Sequence, residues 1–110
     1  MTTQIVTNDN GFAPLIRDGI CLACFNTPWS APCRAQIEIL DKLAARYGDR
    51  LKLLDVNVDY LEQVRARFGV DHIPTLILFR RGMECHRLVG VHPETALCRA
   101  IDAELMGAAG

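Results

Sequence analysis

The residues of this chain best placed to do chemistry are Ser30-Ala31-Pro32-Cys33, with Trp29 before them and Arg34 after. They fall where an apolar run gives way to a helical pattern. With a cysteine at position 30 the segment would be a dithiol redox motif at a helix N-terminus, where backbone N–H groups and the helix dipole favour a thiolate. A serine hydroxyl does not ionise at neutral pH and forms no mixed disulfide. The chain as written has lost the group that would attack a substrate disulfide.

A second Cys-x-x-Cys spacing, Cys21 to Cys24, lies inside the apolar run Ile20-Cys21-Leu22-Ala23-Cys24-Phe25. Strand residues three apart point to opposite faces, so this pair reads as two buried structural thiols. The chain carries 5 cysteines, an odd number at irregular spacing, which argues against a disulfide framework. Cys85-His86 and His92 share no zinc-type spacing with Cys98, so neither a metal nor a cofactor is expected. A net charge of -1 leaves no electrostatic footprint for nucleic acid. No apolar run reaches the length of a membrane span, and Met1-Thr2-Thr3-Gln4 is too polar for a signal peptide, so the expected setting is cytoplasmic, without a membrane partner.

The elements that must position the motif follow from periodicity. A chain of 110 residues, 50% of them apolar, is expected to form one domain over residues 1–110. Gln4 to Val6 reads as a first strand, followed by a helix with Phe12, Leu15 and Ile16, capped by Asn8 or Asp9 and ended by Gly19. Ile20 to Phe25 reads as a buried strand. After the Ser30 turn, Ile37, Leu40, Leu43, Ala44 and Tyr47 repeat at helical spacing up to Gly48. Leu51 to Val58 is a further strand. Asp59 and Glu62 have capping-box spacing before a helix with Leu61, Val64 and Phe68, ended by Gly69. Leu76 to Phe79 and Glu84 to Val89 form a hairpin about Arg81-Gly82, with Arg80 and Arg81 at a solvated tip. Pro93 opens a last helix with Leu97, Ile101 and Leu105 inward, and 107–110 reads as frayed. The order β-α-β-α-β-α-β-β-α predicts an α/β fold, a central mixed β-sheet flanked by helices. It puts the Ser30 turn at the C-terminal end of a central strand, the edge where open α/β sheets place their sites.

In this order Phe25, Trp29, Pro32-Cys33-Arg34, Leu40-Asp41, Val56-Asn57-Val58-Asp59, Phe68-Gly69-Val70, Ile73-Pro74-Thr75, Phe79, Gly82 and Gly90 make the chain resemble the thioredoxin family from about Leu22 to Ile101. The resemblance implies a thioredoxin fold with a cis Pro74 beside the redox turn. Ile73 would offer backbone groups to an extended substrate segment, and Trp29, Ile73, Gly90 and Val91 would line a shallow apolar groove. His72 would touch cargo, tune a thiolate, or stand as a solvated loop histidine.

The activity implied is protein-disulfide reduction. An exposed thiol at the position of Ser30 attacks, and the buried Cys33 resolves. Disulfide-containing proteins are the implied substrates, a thioredoxin reductase or other electron donor the partner, and a monomer the working form. With Ser30 the chain should be inactive or trapped. Two origins stay open: a Cys-Ala-Pro-Cys protein converted in the laboratory, or a natural serine in a domain that has given up reduction. The alternative function is a redox-inactive module holding extended polypeptide.

Two departures from the family bear on proton transfer. The family's buried aspartate falls at Cys24, and its lysine on the neighbouring strand falls at Asp55. Asp55 is therefore either a partly buried proton acceptor for Cys33 or a solvated residue at the strand margin. Asn26 replaces an aromatic that supports the turn, and Glu38 a proline that kinks the following helix.

Overall fold

The apolar run from Ile20 is long enough to serve two cores at once, and it does. In the computed structural model, which describes residues 3–109, strand β2 (Ile20–Asn26) is buried along its whole length. Cys21, Ala23 and Phe25 face one core, while Ile20, Leu22 and Cys24 face the other. The Cys21-x-x-Cys24 pair is therefore split across the sheet.

Around β2 the chain runs β1 (Gln4–Val6), α1 (Phe12–Ile16), β2, α2 (Ala31–Tyr47), β3 (Lys52–Asn57), α3 (Glu62–Arg67), β4 (Thr75–Arg80), β5 (Met83–Val89) and α4 (Glu94–Ala109). The sheet order is β1-β3-β2-β4-β5. The first three strands are mutually parallel, and β4 and β5 add antiparallel pairs. Helices α1 and α3 cover one face with Phe12, Ile16 and Val64. Helices α2 and α4 cover the other with Leu40, Leu43, Leu97 and Ile101.

On the first face all 4 phenylalanines of the chain meet, with Phe12, Phe25, Phe68 and Phe79 at centroid separations of 5.3 to 6.4 Å. Their tilted and edge-on geometries are those that aromatic quadrupoles favour. Among the described residues no helix is long and apolar enough to cross a membrane.

Three local expectations are corrected. Asp59 does not cap α3: the N-cap position is Leu61, without a side-chain bond, and Asp9 Oδ1 accepts from the Val64 N–H at 2.9 Å instead. Asp59 is occupied elsewhere, holding Trp29. Arg80 is no free tip residue, since its guanidinium reaches Glu104 of α4 at 3.9 Å. Of the segment 107–110, residues 107–109 continue α4 through Ala109, where alanine's helix preference favours another turn, and Gly110 lies outside the described residues. The hairpin turn does form at Arg81-Gly82, with φ of 52° and 84°, the positive values that match the twist of paired strands.

Candidate functional site

Three strand ends meet at one edge of the sheet. Phe25 is the register partner of Thr75, and Thr75 of Val89, so the segments following β2, preceding β4 and following β5 lie side by side. Ser30 closes the first of these. It sits at the N-cap of α2 with extended backbone (φ -94°, ψ 123°), half-buried, and its hydroxyl makes no capping bond. Pro32 fits the first turn, where a missing N–H costs nothing. The Arg34 N–H donates to Ser30 O at 3.0 Å, and its guanidinium donates to Pro28 O at 2.9 Å, bracing the turn from outside.

Cys33 points inward and is fully buried. Trp29 stands 68% exposed, yet its ring is tethered, because Nε1 donates to Asp59 Oδ2 at 3.0 Å. Asn57 Oδ1 in turn accepts from the Asp59 N–H at 2.9 Å.

Beneath the turn, β2 and β3 supply a polar cluster inside an apolar face. Cys24 and Asp55 are register partners on adjacent parallel strands and share that face. Asn26, two residues on, is buried at the strand's end and donates through Nδ2 to Asp55 Oδ1 at 2.7 Å and to Cys24 O at 2.9 Å. Asp55 is half-buried. Burial pushes the Cys24 thiol well above its ordinary range, and the charges of Asp55 and Cys33 push it further the same way. Cys24 is thus a neutral thiol at physiological pH, within electrostatic reach of both the carboxylate and the inward thiol.

The opposite wall begins with the Ile73–Pro74 peptide, which is cis. Pro74 is buried and Ile73 half-buried; His72 is exposed, its carbonyl accepting from Thr75 Oγ1 at 2.6 Å. The Gly90 N–H donates to Pro74 O at 2.8 Å, joining the second and third segments. Gly90 turns the chain out of β5 at φ 87°, leaving Val91 exposed at the rim.

This architecture has close counterparts. The Thioredoxin family model matches residues 3–103. The chain belongs to the thioredoxin family. Thioredoxin 1 of Synechococcus elongatus is 36% identical over 84 residues, covering 76% of this chain and 78% of that protein. The thioredoxin of Bacillus subtilis is 31% identical over 101 residues, covering 92% and 97%. That of Chlamydia muridarum is 38% identical over 98 residues, covering 89% and 94%. Among solved structures, a mutant thioredoxin from Halobacterium salinarum superimposes with a TM-score of 0.85 over 93% of this chain and 89% of its own, at 24% identity, a likeness of fold.

As a thioredoxin-family chain it stands among thiol–disulfide oxidoreductases. Ser30, Cys33 and Trp29 come from the first segment of the sheet edge, His72, Ile73 and Pro74 from the second, and Gly90 and Val91 from the third. Asp55 lies below, reached through Asn26. Sequence reading passed over Gln36 of α2, which is fully buried and bonded to the third segment. Its signal was present: Cys33, Gln36, Leu40, Leu43 and Tyr47 form one helical stripe, and Gln36 is the polar member of it.

Proposed function

We propose that this chain is the scaffold of a protein-disulfide reductase that engages its substrate but does not turn it over, because Ser30 holds the place of the attacking thiol. The observation that carries the reading is the pairing of a half-buried Ser30 at the N-cap of α2 with a fully buried Cys33 in the following turn. That pairing supports reading position 30 as the attacking position and Cys33 as the resolving thiol. Disulfide-bearing proteins are the substrates, lying extended across Trp29, Ile73, Gly90 and Val91, with His72 at the rim. A thioredoxin reductase or another dithiol is the electron donor. The free, mostly buried cysteines suit a monomer in the reducing cytoplasm.

With a cysteine restored at position 30, its thiolate opens the substrate disulfide, forming a mixed disulfide and releasing one substrate thiolate. Cys33 gives up its proton, attacks the introduced sulfur and releases the second substrate thiolate. Two electrons pass to the substrate, and the donor dithiol returns them. The proton of Cys33 goes to Asp55, directly or through water, and not to Cys24, which burial keeps as a neutral thiol.

The test is insulin reduction driven by dithiothreitol. The chain as written is expected to be inert and Ser30→Cys active, with Asp55→Asn in that background slowing the resolving step. Were Ser30→Cys as inert as its parent, the reductase reading would be wrong, and the groove would remain as a polypeptide-holding module.

A further inference from the structure

The third segment of the sheet edge is fastened by a side chain. Gln36 is 0% exposed and faces the loop after β5 across 56 residues of sequence. Its Nε2 donates to His92 O at 3.0 Å, and its Oε1 accepts from the His92 N–H at 2.7 Å. One planar amide thus satisfies both backbone groups of one residue, as a neighbouring strand would. The bonding continues in both directions. His92 Nδ1 lies 3.0 Å from Gly90 O, so Nδ1 carries the proton, and the Gly90 N–H donates to Pro74 O at 2.8 Å. Active helix, rim loop and proline loop are joined in one chain of hydrogen bonds.

We propose that Gln36 is a positioning residue for cargo: its amide pins the loop carrying Gly90 and Val91 against α2, so that the groove is formed before polypeptide arrives. This rests on the groove reading above. The argument is one of satisfaction and entropy. Without Gln36, the N–H and C=O of the half-buried His92 lose both partners, and the remedy open to them is for the loop to turn outward to water. Val91 then leaves the rim, and each binding event must first order the loop again. With Gln36, the loop's backbone at His92 is already paired, so cargo meets a fixed edge. Neither Ser30 nor Cys33 is needed for this, so the effect is independent of any thiol.

The experiment uses the chain as it stands, with fluorescently labelled, reduced and carboxymethylated lactalbumin as a permanently extended probe read by anisotropy. Gln36→Leu removes both bonds at similar volume. It is expected to weaken probe binding about tenfold, the factor carried by a hydrogen-bonding loss of ~1.4 kcal/mol, and to speed amide exchange at His92. Ile16→Val, in the core on the opposite face of the sheet, removes a methyl group and is expected to leave both unchanged. Should Gln36→Leu fail to fold, Gln36→Met gives the same readouts with a more adaptable side chain. Probe affinity for the Gln36 variant within about threefold of the parent would overturn the positioning role alone. No binding of the probe by the parent chain would instead sink the groove reading, and the proposal with it.

Discussion

If Asn26 fixes Asp55 where a proton can be delivered, the two residues are energetically coupled, and the structure sets the size of that coupling. Asn26 is 3% exposed and donates to a carboxylate oxygen at 2.7 Å and to the Cys24 carbonyl at 2.9 Å. A bond to a charged group contributes about 1.5–3 kcal/mol; Asp55 is only half-buried, so about 1.5 kcal/mol is the appropriate end of that range. The bond to Cys24 O adds about 1 kcal/mol, and the space left by truncation about 0.5 kcal/mol more. Asn26→Ala should therefore cost about 3 kcal/mol. For 110 residues, with an unfolding entropy of about 2.1 cal/mol/K each, that is a fall in Tm of about 13 °C. Asp55→Ala alone should cost about 1.5 kcal/mol, and the double variant should be less destabilised than the sum by that same amount. Urea unfolding followed by circular dichroism, under reducing conditions, measures all four corners of the cycle. A coupling below about 0.5 kcal/mol would mean that Asp55 is not held by Asn26, and the acceptor for Cys33 would lose its fixed position.

Two further outcomes follow from burial and capping. Burial pushes Cys21 up to about 12, partly offset by Lys52, and raises Cys24 well above the usual 9.0. The unfolded chain therefore releases both protons before the native one does. Stability is fully present below pH 9 and falls as pH rises through the window up to about 12, by ~1.4 kcal/mol per pH unit for each thiol. Urea midpoints between pH 7 and 10.5 that stay flat would contradict this, and Cys21→Ala should remove one thiol's share of the slope and leave the rest, because burial raises Cys85 as well, to about 11. Asp9→Ala removes the acceptor for the Val64 N–H and should cost about 1 kcal/mol. Amide exchange should accelerate at Val64, and an unchanged rate there would show that Asp9 is no cap.

The order of elements was legible because each strand announces itself differently. Ile20 to Phe25 is unbroken and apolar, as a strand serving two cores must be, while the Arg81-Gly82 pair marks the hairpin. The Ser30 turn and its place at a sheet edge were readable from the switch between strand and helix patterns, while the inward Cys33 was expected only through the family resemblance. Bonds linking distant segments were not. Local spacing made Asp59 a cap for α3, whereas Trp29 takes its carboxylate and Asp9, over fifty residues away in sequence from Val64, supplies the cap. Asn26 looked like the loss of a supporting aromatic. In the fold it replaces bulk with two donated bonds, a role that depends on which residue β3 sets beside it. Gln36 could have been suspected from its place in an apolar stripe, but its partner His92 could not have been named, because the β5–α4 loop approaches only once the sheet is assembled.

Helix α2 is tied down at two stations. Gln36 holds its first turns to the loop before α4, and the Tyr47 hydroxyl donates to Asp102 of α4 at 2.7 Å, about 16 Å further along the axis at 1.5 Å per residue. With one fastening, only the packing of Leu40 and Leu43 against the sheet would oppose a roll of the helix about its axis. Two, spaced by most of its length, resist torsion, so the azimuth of Ser30 and Cys33 about the helix axis is set by hardware at both ends. A load applied at this edge of the sheet would then be borne by α2 and α4 together as one plate, rather than by the Ser30 turn alone.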